Sequence, residues 1–253
     1  MSEYLLTLIT INYNNYEGLR ATVASVMNQN APKKWRWIVI DGGSTDGSKE
    51  YLERNSKLFD YWVSEPDKGI YYAMNKGLQQ VEDGYVWFLN SGDRLRETFT
   101  MSMVLESIET LPWVDCFYSD TYFVDENYEE LGLISELKPQ EFPVKLNYDS
   151  FRYGMNICHQ SFVARRDMAP FYKTEYKQAA DIDWILEILK KRPVCRQLNS
   201  VLTEFQIGGS SSQNSRKAMK ERYQILKSHF GFLPNLFAHF WIVLRHFLFR
   251  RKY

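Results

Sequence analysis

Residues 35–47 read Trp-Arg-Trp-Ile-Val-Ile-Asp-Gly-Gly-Ser-Thr-Asp-Gly, an apolar run that breaks into an acidic, glycine-rich turn. A run of this length with β-branched residues at its end predicts a buried strand over Trp35 to Ile40, and a short helical stretch follows from Ser48. The same alternation extends outward on both sides. Upstream, the apolar run Leu5 to Ile11 precedes a helical segment, Glu17 to Gln29, that puts Leu19, Val23, Val26 and Met27 on one face. Downstream, Tyr61 to Ser64 is a third apolar run, Ile70, Met74, Leu78 and Val81 mark the inner face of another helix, and Tyr85 to Leu89 is a fourth strand. Strands alternating with helices predict right-handed βαβ units and a largely parallel sheet covered on both faces. In such sheets ligands sit beyond the carboxyl ends of the strands. Each strand here is followed by a polar segment: Asn12-Tyr13-Asn14, Asp41 to Asp46, Glu65-Pro66-Asp67-Lys68, and Asn90-Ser91-Gly92-Asp93. Four polar tips on one sheet edge describe a pocket.

The remaining sequence is less regular. It predicts a helix over Met101 to Leu111, strands over Val114 to Ser119 and Ile157 to Ala164, a loop-rich excursion from Asp125 to Asn147, a helix over Asp183 to Leu189, and a strand over Val201 to Phe205 before the turn Gly208-Gly209-Ser210. In the tail, Met219, Tyr223, Leu226 and Phe230 form one stripe. Leu233, Leu236, Phe237, Phe240, Trp241, Leu244, Phe247 and Leu248 form a second, with Arg245, Arg250, Arg251 and Lys252 at its end. Pro234, Asn235, His239, Arg245 and His246 interrupt the apolar run, so a membrane span is not expected. The composition suits an interfacial helix on an anionic membrane, and packing on the domain or a partner is the other reading. The chain has 253 residues, 45% apolar and 25% charged, with 31 basic against 31 acidic side chains. A formal charge of zero gives no global field for nucleic acid, so nucleic-acid binding is not expected. Three separated cysteines, Cys116, Cys158 and Cys195, without a CxxC pair, argue against a disulfide framework or a thiolate metal site. No basic segment precedes the first apolar run, so no secretory signal is expected and the cytoplasm is the expected compartment.

Taken singly, the candidate residues are ambiguous. Asp41 sits where a carboxylate can bind a ribose or base edge, or where a plain βα turn has Ser44 or Asp46 capping the next helix. Asp93, on what reads as a solvent-facing tip, can hold a hard divalent cation or belong to a capped turn. Together, the ordered motifs Thr10-Ile11-Asn12-Tyr13-Asn14, Val39 to Gly47, Glu65 to Gly77 and Phe88 to Asp93 resemble the nucleotide-sugar half of family 2 glycosyltransferases. Cys158-His159-Gln160-Ser161, Ala179 to Trp184 and Gly208-Gly209-Ser210-Ser211 look like the acceptor half and closing loop of its bacterial polysaccharide members. The resemblance implies an α/β GT-A fold with a single, mostly parallel Rossmann-like sheet, a nucleotide-diphosphate sugar donor (UDP or GDP), Mg2+ or Mn2+, and inversion at the anomeric carbon. By the same resemblance, Asn12 and Tyr13 face the nucleoside, Asp41 binds base or ribose, Lys68 and Asn75 close the nucleotide pocket with Asn90, and Asp93 is the last acid of the metal motif. The family often has Asp-x-Asp-Asp where this chain has Asn90-Ser91-Gly92-Asp93, so one motif carboxylate remains.

Asp181 occupies the position of the family's general base, with Asp183 as its competitor. Both lie at a helix start, where either could cap and where the helix dipole favours an ionised carboxylate. His159 reads either as a hydrogen-bonded core histidine or as a contact for diphosphate or acceptor. The tail histidines, His229, His239 and His246, are expected to face solvent or headgroups. The expected organisation is a glycosyltransferase domain over 1–215, with a nucleotide-sugar half over 1–95 and an acceptor half over 96–215, followed by a helical, membrane-surface segment over 216–253. The implied enzyme is peripheral on the inner face of the plasma membrane and glycosylates a lipid-linked or oligosaccharide acceptor in surface-polysaccharide synthesis. The alternative is a nucleotide-sugar-binding protein of the same fold without turnover.

Overall fold

The computed structural model describes residues 4–138, 140–154, 157–208 and 215–250. Strands β1 (Leu6–Asn12), β2 (Trp35–Asp41), β3 (Tyr61–Ser64) and β4 (Tyr85–Phe88) alternate with helices α1 (Tyr16–Met27), α2 (Ser48–Arg54) and α3 (Ile70–Gln79). They are followed by β5 (Arg94–Leu95), α4 (Thr100–Thr110), β6 (Cys116–Tyr118), β7 (Thr121–Val124), β8 (Glu130–Leu133), α5 (Ile134–Leu137) and β9 (Phe162–Arg165). The chain ends with α6 (Ala180–Lys190), β10 (Cys195–Gln197), β11 (Thr203–Gln206), α7 (Ser215–Phe230) and α8 (Phe232–Arg250). The main sheet has the order β10-β6-β9-β4-β1-β2-β3. Its β4-β1-β2-β3 side is parallel, and β9 runs antiparallel between β4 and β6.

Every residue of β1 is buried, as expected for a central strand with helices on both faces. One apolar layer joins Ile9, Ile38, Ile40 and Phe88 to α3 and α6, and the other joins Leu8, Trp37, Val39 and Trp87 to α1 and α4. Helix α3 comes unusually close to the sheet at Gly77, where a Cβ would lie 2.6 Å from Ile9 Cγ2. Its inner face is carried by Tyr71, Ala73, Met74 and Leu78; the expected Met74, Leu78 and Val81 are buried, while Ile70 is exposed and Tyr71 takes its place.

The α/β class is the expected one, but a second sheet, β5-β11-β7-β8, stands beside the first. The expected strand near Val201 to Phe205 belongs to this second sheet. The Asp125 to Asn147 excursion contains β8 and α5, and the expected strand from Ile157 is instead a one-turn 3-10 helix over His159–Ser161 followed by β9. Strands β5, β7, β8 and β10, which the sequence pattern did not single out, have only two to four residues, too few to show a period of two.

Candidate active site

The carboxyl ends of β1, β2 and β3 meet around Asp41. Its Oδ1 accepts hydrogen bonds from Asn12 Nδ2 at 2.7 Å and Ser44 Oγ at 2.5 Å, and its Oδ2 from the Gly43 and Ser44 amides and Ser64 Oγ. Asp41 is fully buried, so these bonds make it an organiser of the β2-α2 turn. The turn must pass close to the next loop. A Cβ on Gly43, whose φ is +80°, would lie 2.9 Å from Pro66 N. Tyr13 lies across Gly42 with its ring 66% exposed, a placement open to stacking by a planar ring. Asn12 Oδ1 and Asn90 Oδ1 are both buried without a hydrogen-bond partner among the described residues. Two unpaired carbonyl oxygens at the ends of neighbouring strands are positions where a ligand or hydrated ion supplies the missing bond.

The Asn90 to Asp93 turn is fastened to α1. Thr22 Oγ1 donates to the Asp93 carbonyl at 2.7 Å and accepts from the Gly92 amide, and Asn15 Nδ2 donates to the Ser91 carbonyl. Asp93 departs from expectation: it is 4% exposed, not on a solvent-facing tip. Its Oδ1 accepts from the Gln206 amide of β11, so the second sheet closes over it. Burial pushes the Asp93 carboxyl up to about 8, against hydrogen bonds from the Gln206 amide and the Gln160 side chain. A buried carboxylate beside an unpaired amide oxygen offers hard oxygen ligands of the kind Mg2+ or Mn2+ prefers, and a cation would supply the charge that burial denies. The donor chemistry therefore fits the implied metal, which Asp93 and Asn90 would hold.

The other expected nucleotide contacts differ in their surroundings. Lys68 is exposed on the loop before α3. Asn75 uses both ends of its side chain on Tyr172, accepting from its amide at 2.7 Å and donating to its carbonyl at 2.9 Å, so it braces the loop before α6. His159 is buried, with Nε2 2.7 Å from Tyr172 Oη, against the rings of Phe88 and Trp184. Burial pushes the imidazole down to about 4, and the nearby Asp181 charge opposes the shift. Of its two readings, the core histidine matches this geometry. Gly209 to Ser211 of the expected closing loop and Arg251 and Lys252 of the basic end lie outside the described residues.

The structure separates Asp181 from Asp183. Asp181, in the first turn of α6, is half-buried and accepts from Tyr71 Oη at 3.2 Å. Asp183 is 2% exposed, with Oδ1 3.0 Å from Lys173 Nζ and 2.9 Å from His229 Nε2. Neither caps the helix through its side chain; the N-cap position is Ala179. His229 thus belongs to a buried pair and not to solvent, and Tyr148 Oη donates to its carbonyl. His239 is half-buried against Tyr223. Asp183, Glu187 and His229 could geometrically surround a cation, but Lys173 Nζ already lies 3.0 Å from both carboxylates and acts as that cation.

Burial alone would raise the Asp183 carboxyl, but hydrogen bonds from His229 and Lys173 outweigh it and hold the group below the usual carboxylate range. A depressed folded-state value stabilises the protein above the unfolded pKa and is lost as pH falls through the folded value. Asp183→Asn is therefore expected to lower stability by about 2–3 kcal/mol at pH 7, less than a fully buried broken pair because Lys173 is partly solvated. The gap from the parent protein should begin to narrow near the unfolded carboxyl value, about pH 4, and close only as pH falls through the depressed folded value. Urea titrations of both proteins at a series of pH values from 7 downward read this out.

Three further residues had weak sequence signals. Glu221 of α7 accepts backbone hydrogen bonds from Lys177, Gln178 and Ala179, fixing the segment that leads into Asp181. Its signal was an acid on the same helix face as Ala218 and Ile225. Tyr71 was hidden because the first inward position of α3 was given to Ile70. Lys138, at the end of α5, lies within electrostatic reach of Cys158 and Asp181. Burial first, then the Asp93 charge and to a smaller extent that of Asp181, push the Cys158 thiol up to about 12. Asp93 and the half-buried acid of α6 thus both lie within electrostatic reach of one thiol.

An α/β unit with a parallel β4-β1-β2-β3 side, a carboxylate-organised turn after β2 and a second sheet closed over the turn after β4 has the architecture of a GT-A glycosyltransferase. The chain belongs to glycosyl transferase family 2, whose family model matches residues 7–169. It is 40% identical over 219 residues to the glycosyltransferase Rv1514c of Mycobacterium tuberculosis, covering 85% of this chain and 79% of that protein. It is 26% identical over 228 residues to TuaG of Bacillus subtilis, described as a teichuronic acid biosynthesis glycosyltransferase, covering 88% and 87%. Among solved structures, S. aureus TarS 1-349 in complex with UDP superposes with a TM-score of 0.66 at 16% identity, over 88% of this chain and 64% of that one. The mannosyltransferase PcManGT from Pyrobaculum calidifontis, in complex with GDP-Man and Mn2+, superposes with a TM-score of 0.64 at 17% identity, over 94% and 69%.

Proposed function

We propose that this glycosyltransferase transfers a sugar, with inversion, from a UDP- or GDP-sugar to a hydroxyl of a lipid-linked or oligosaccharide acceptor during surface-polysaccharide synthesis. The observation that carries the reading is the half-buried Asp181 carboxylate at a helix N-terminus, held by Tyr71 Oη of the helix that follows the β3 loop and within electrostatic reach of Cys158, as Asp93 is. In this reading residues 1–95 hold the donor and 96–215 the acceptor. Tyr13 stacks near the base, Asp41 and Asn12 shape the nucleoside site, and Lys68 swings over the diphosphate. Asp181 takes the proton of the acceptor hydroxyl as its oxygen attacks the anomeric carbon. The bond from that carbon to the diphosphate breaks, and its electron pair leaves with the phosphate oxygen. A divalent cation held by Asp93 and Asn90 would neutralise the departing diphosphate. The nucleotide and nucleotide-sugar complexes of TarS and PcManGT support the donor class, and TuaG supports a surface-polymer acceptor.

The same reading places residues 216–253 on the anionic inner face of the plasma membrane, in the cytoplasm. No described helix is long and apolar enough to cross a membrane. Helix α8 nevertheless exposes Phe232, Leu233, Leu236, Phe237, Phe240 and Trp241, and α7 exposes Arg216, Lys217, Lys220 and Lys227. Apolar rings beside basic side chains suit an interfacial helix. Arg245 does not contribute to that charge, since its guanidinium donates to the Tyr153 carbonyl at 2.9 Å, and Asn235 and Ala238 are buried. Helix α8 is therefore anchored to the domain on one side and bare on the other.

One assay tests both halves of the proposal. The parent protein and a Phe237→Glu/Phe240→Glu variant are each given a panel of UDP- and GDP-sugars with Mn2+, with and without anionic vesicles carrying lipid-linked acceptor. One donor should raise thermal stability in both proteins, by about 2.7 kcal/mol at a hundredfold excess over Kd. Only the parent should sediment with vesicles and glycosylate their lipid, with binding that weakens as salt rises. A protein that no donor stabilises would refute the transferase reading. A parent that stays in the supernatant would refute the membrane reading.

A further inference from the structure

Helix α3 delivers a hydroxyl to the acid of α6. Tyr71, in the first turn of α3, is buried, and its ring stacks on Tyr172 with centroids 5.6 Å apart and planes 24° apart. Tyr172 stacks in turn on Trp184, at 5.1 Å and 11°. Trp184 lies three residues after Asp181 on α6 and is fixed by its indole N–H donating to the Pro170 carbonyl at 2.7 Å. The three rings tie α3 to α6, and phenylalanine at position 71 would stack equally well. What tyrosine adds is the hydroxyl that donates to Asp181 Oδ1 at 3.2 Å. Burial, followed by the Asp181 charge, raises the Tyr71 phenol well above its ordinary range, so the hydroxyl stays protonated and remains a donor.

We propose that Tyr71 is the positioning residue of the proton-accepting carboxylate: its stacked ring holds the hydroxyl in place, and the hydroxyl holds Asp181 Oδ1 so that Oδ2 is turned to the acceptor. A hydrogen bond to a carboxylate makes it a weaker base, and fixing the angle of proton transfer offsets this loss, because small misplacements of reacting groups are costly to rate. The ordering also reaches the donor side. Tyr71 follows the Glu65 to Gly69 loop, which packs on Gly43 beside Asp41, so one helix connects the donor-side loop to the base. The inference rests on the reading of Asp181 as the general base.

The test compares Tyr71→Phe, Asp181→Asn, the two combined, and Tyr85→Phe. Tyr85 provides the control, because its buried hydroxyl donates to the Val114 carbonyl, remote from the site. Tyr71→Phe should lower kcat by about 10- to 100-fold with donor KM within about twofold of the parent. Tyr85→Phe should cost similar thermal stability and leave kcat unchanged. In the Asp181→Asn background, Tyr71→Phe should have no further effect, since its partner's basicity is already gone. A Tyr71→Phe enzyme with parental kcat would overturn the proposal, as would an equal loss with and without the Asp181 carboxylate. If Asp181→Asn alone keeps full activity, the base assignment itself fails, and this inference fails with it by a separate and recognisable result.

Discussion

Asp181→Asn is expected to bind the nucleotide-sugar donor as the parent does and to lose sugar transfer by a factor of ~10² to 10⁴, the usual range when a general base is removed. Asparagine keeps the size of the side chain and can still accept the hydrogen bond from Tyr71, so the α3 to α6 contact should persist. What it lacks is the capacity to take a proton from a sugar hydroxyl. Single-turnover transfer and donor titration, measured on the same preparation, separate the two properties. The competitor behaves differently. Because Asp183 is enclosed by Lys173 and His229, its substitution should appear mainly as lost stability. A dead Asp183→Asn enzyme of normal stability, beside an active Asp181→Asn one, would reverse the assignment. If no donor or acceptor yields product even with the parent while a donor still binds, the turnover-deficient binding protein becomes the better description.

Asp93→Asn is expected to abolish turnover and to remove the gain in donor affinity that Mn2+ or Mg2+ provides. The fold should persist. Asn can accept the Gln206 amide bond now made by Oδ1, so β11 keeps its place over the turn, and a neutral amide is no more costly to bury than the carboxyl it replaces. Calorimetric titration with UDP or GDP, with metal and with chelator, should show a metal-dependent affinity in the parent and none in the variant. Normal turnover in Asp93→Asn would remove the metal role from this residue. With Asn90 as the other protein oxygen, the diphosphate would have to supply much of the remaining coordination, as is common for Mg2+.

The donor side was largely legible in the chain. Apolar runs of period two and stripes of helical period place β1 to β4 and their helices, because each needs only neighbours within about ten residues to show its pattern. The polar tips after those strands follow from the same placement, and Asn12, Asp41 and Asp93 were recognisable there before any coordinates. On the α3 face Met74, Leu78 and Val81 are buried as expected, but Tyr71 replaces Ile70, because both are apolar enough to fill a stripe and only contact with Tyr172 decides between them. His159 looked equally like a ligand and a core residue until the rings of Phe88, Tyr172 and Trp184 enclosed it.

Sequence alone determined the alternating α/β order, the edge at which ligands gather and the residue types offered there, since local periodicity and turn chemistry are written in consecutive residues. Tertiary structure decided which of those residues are exposed, paired or buried. Asp93 is covered by Gln206, 113 residues away; Asp181 is held by Tyr71, 110 residues away; Asp183 is claimed by His229, 46 residues away. Two aspartates in the first turn of one helix share the same local propensity and the same dipole. What separates them is the set of partners that the folded chain brings to each, because burial and charge pairing are properties of contacts between distant segments.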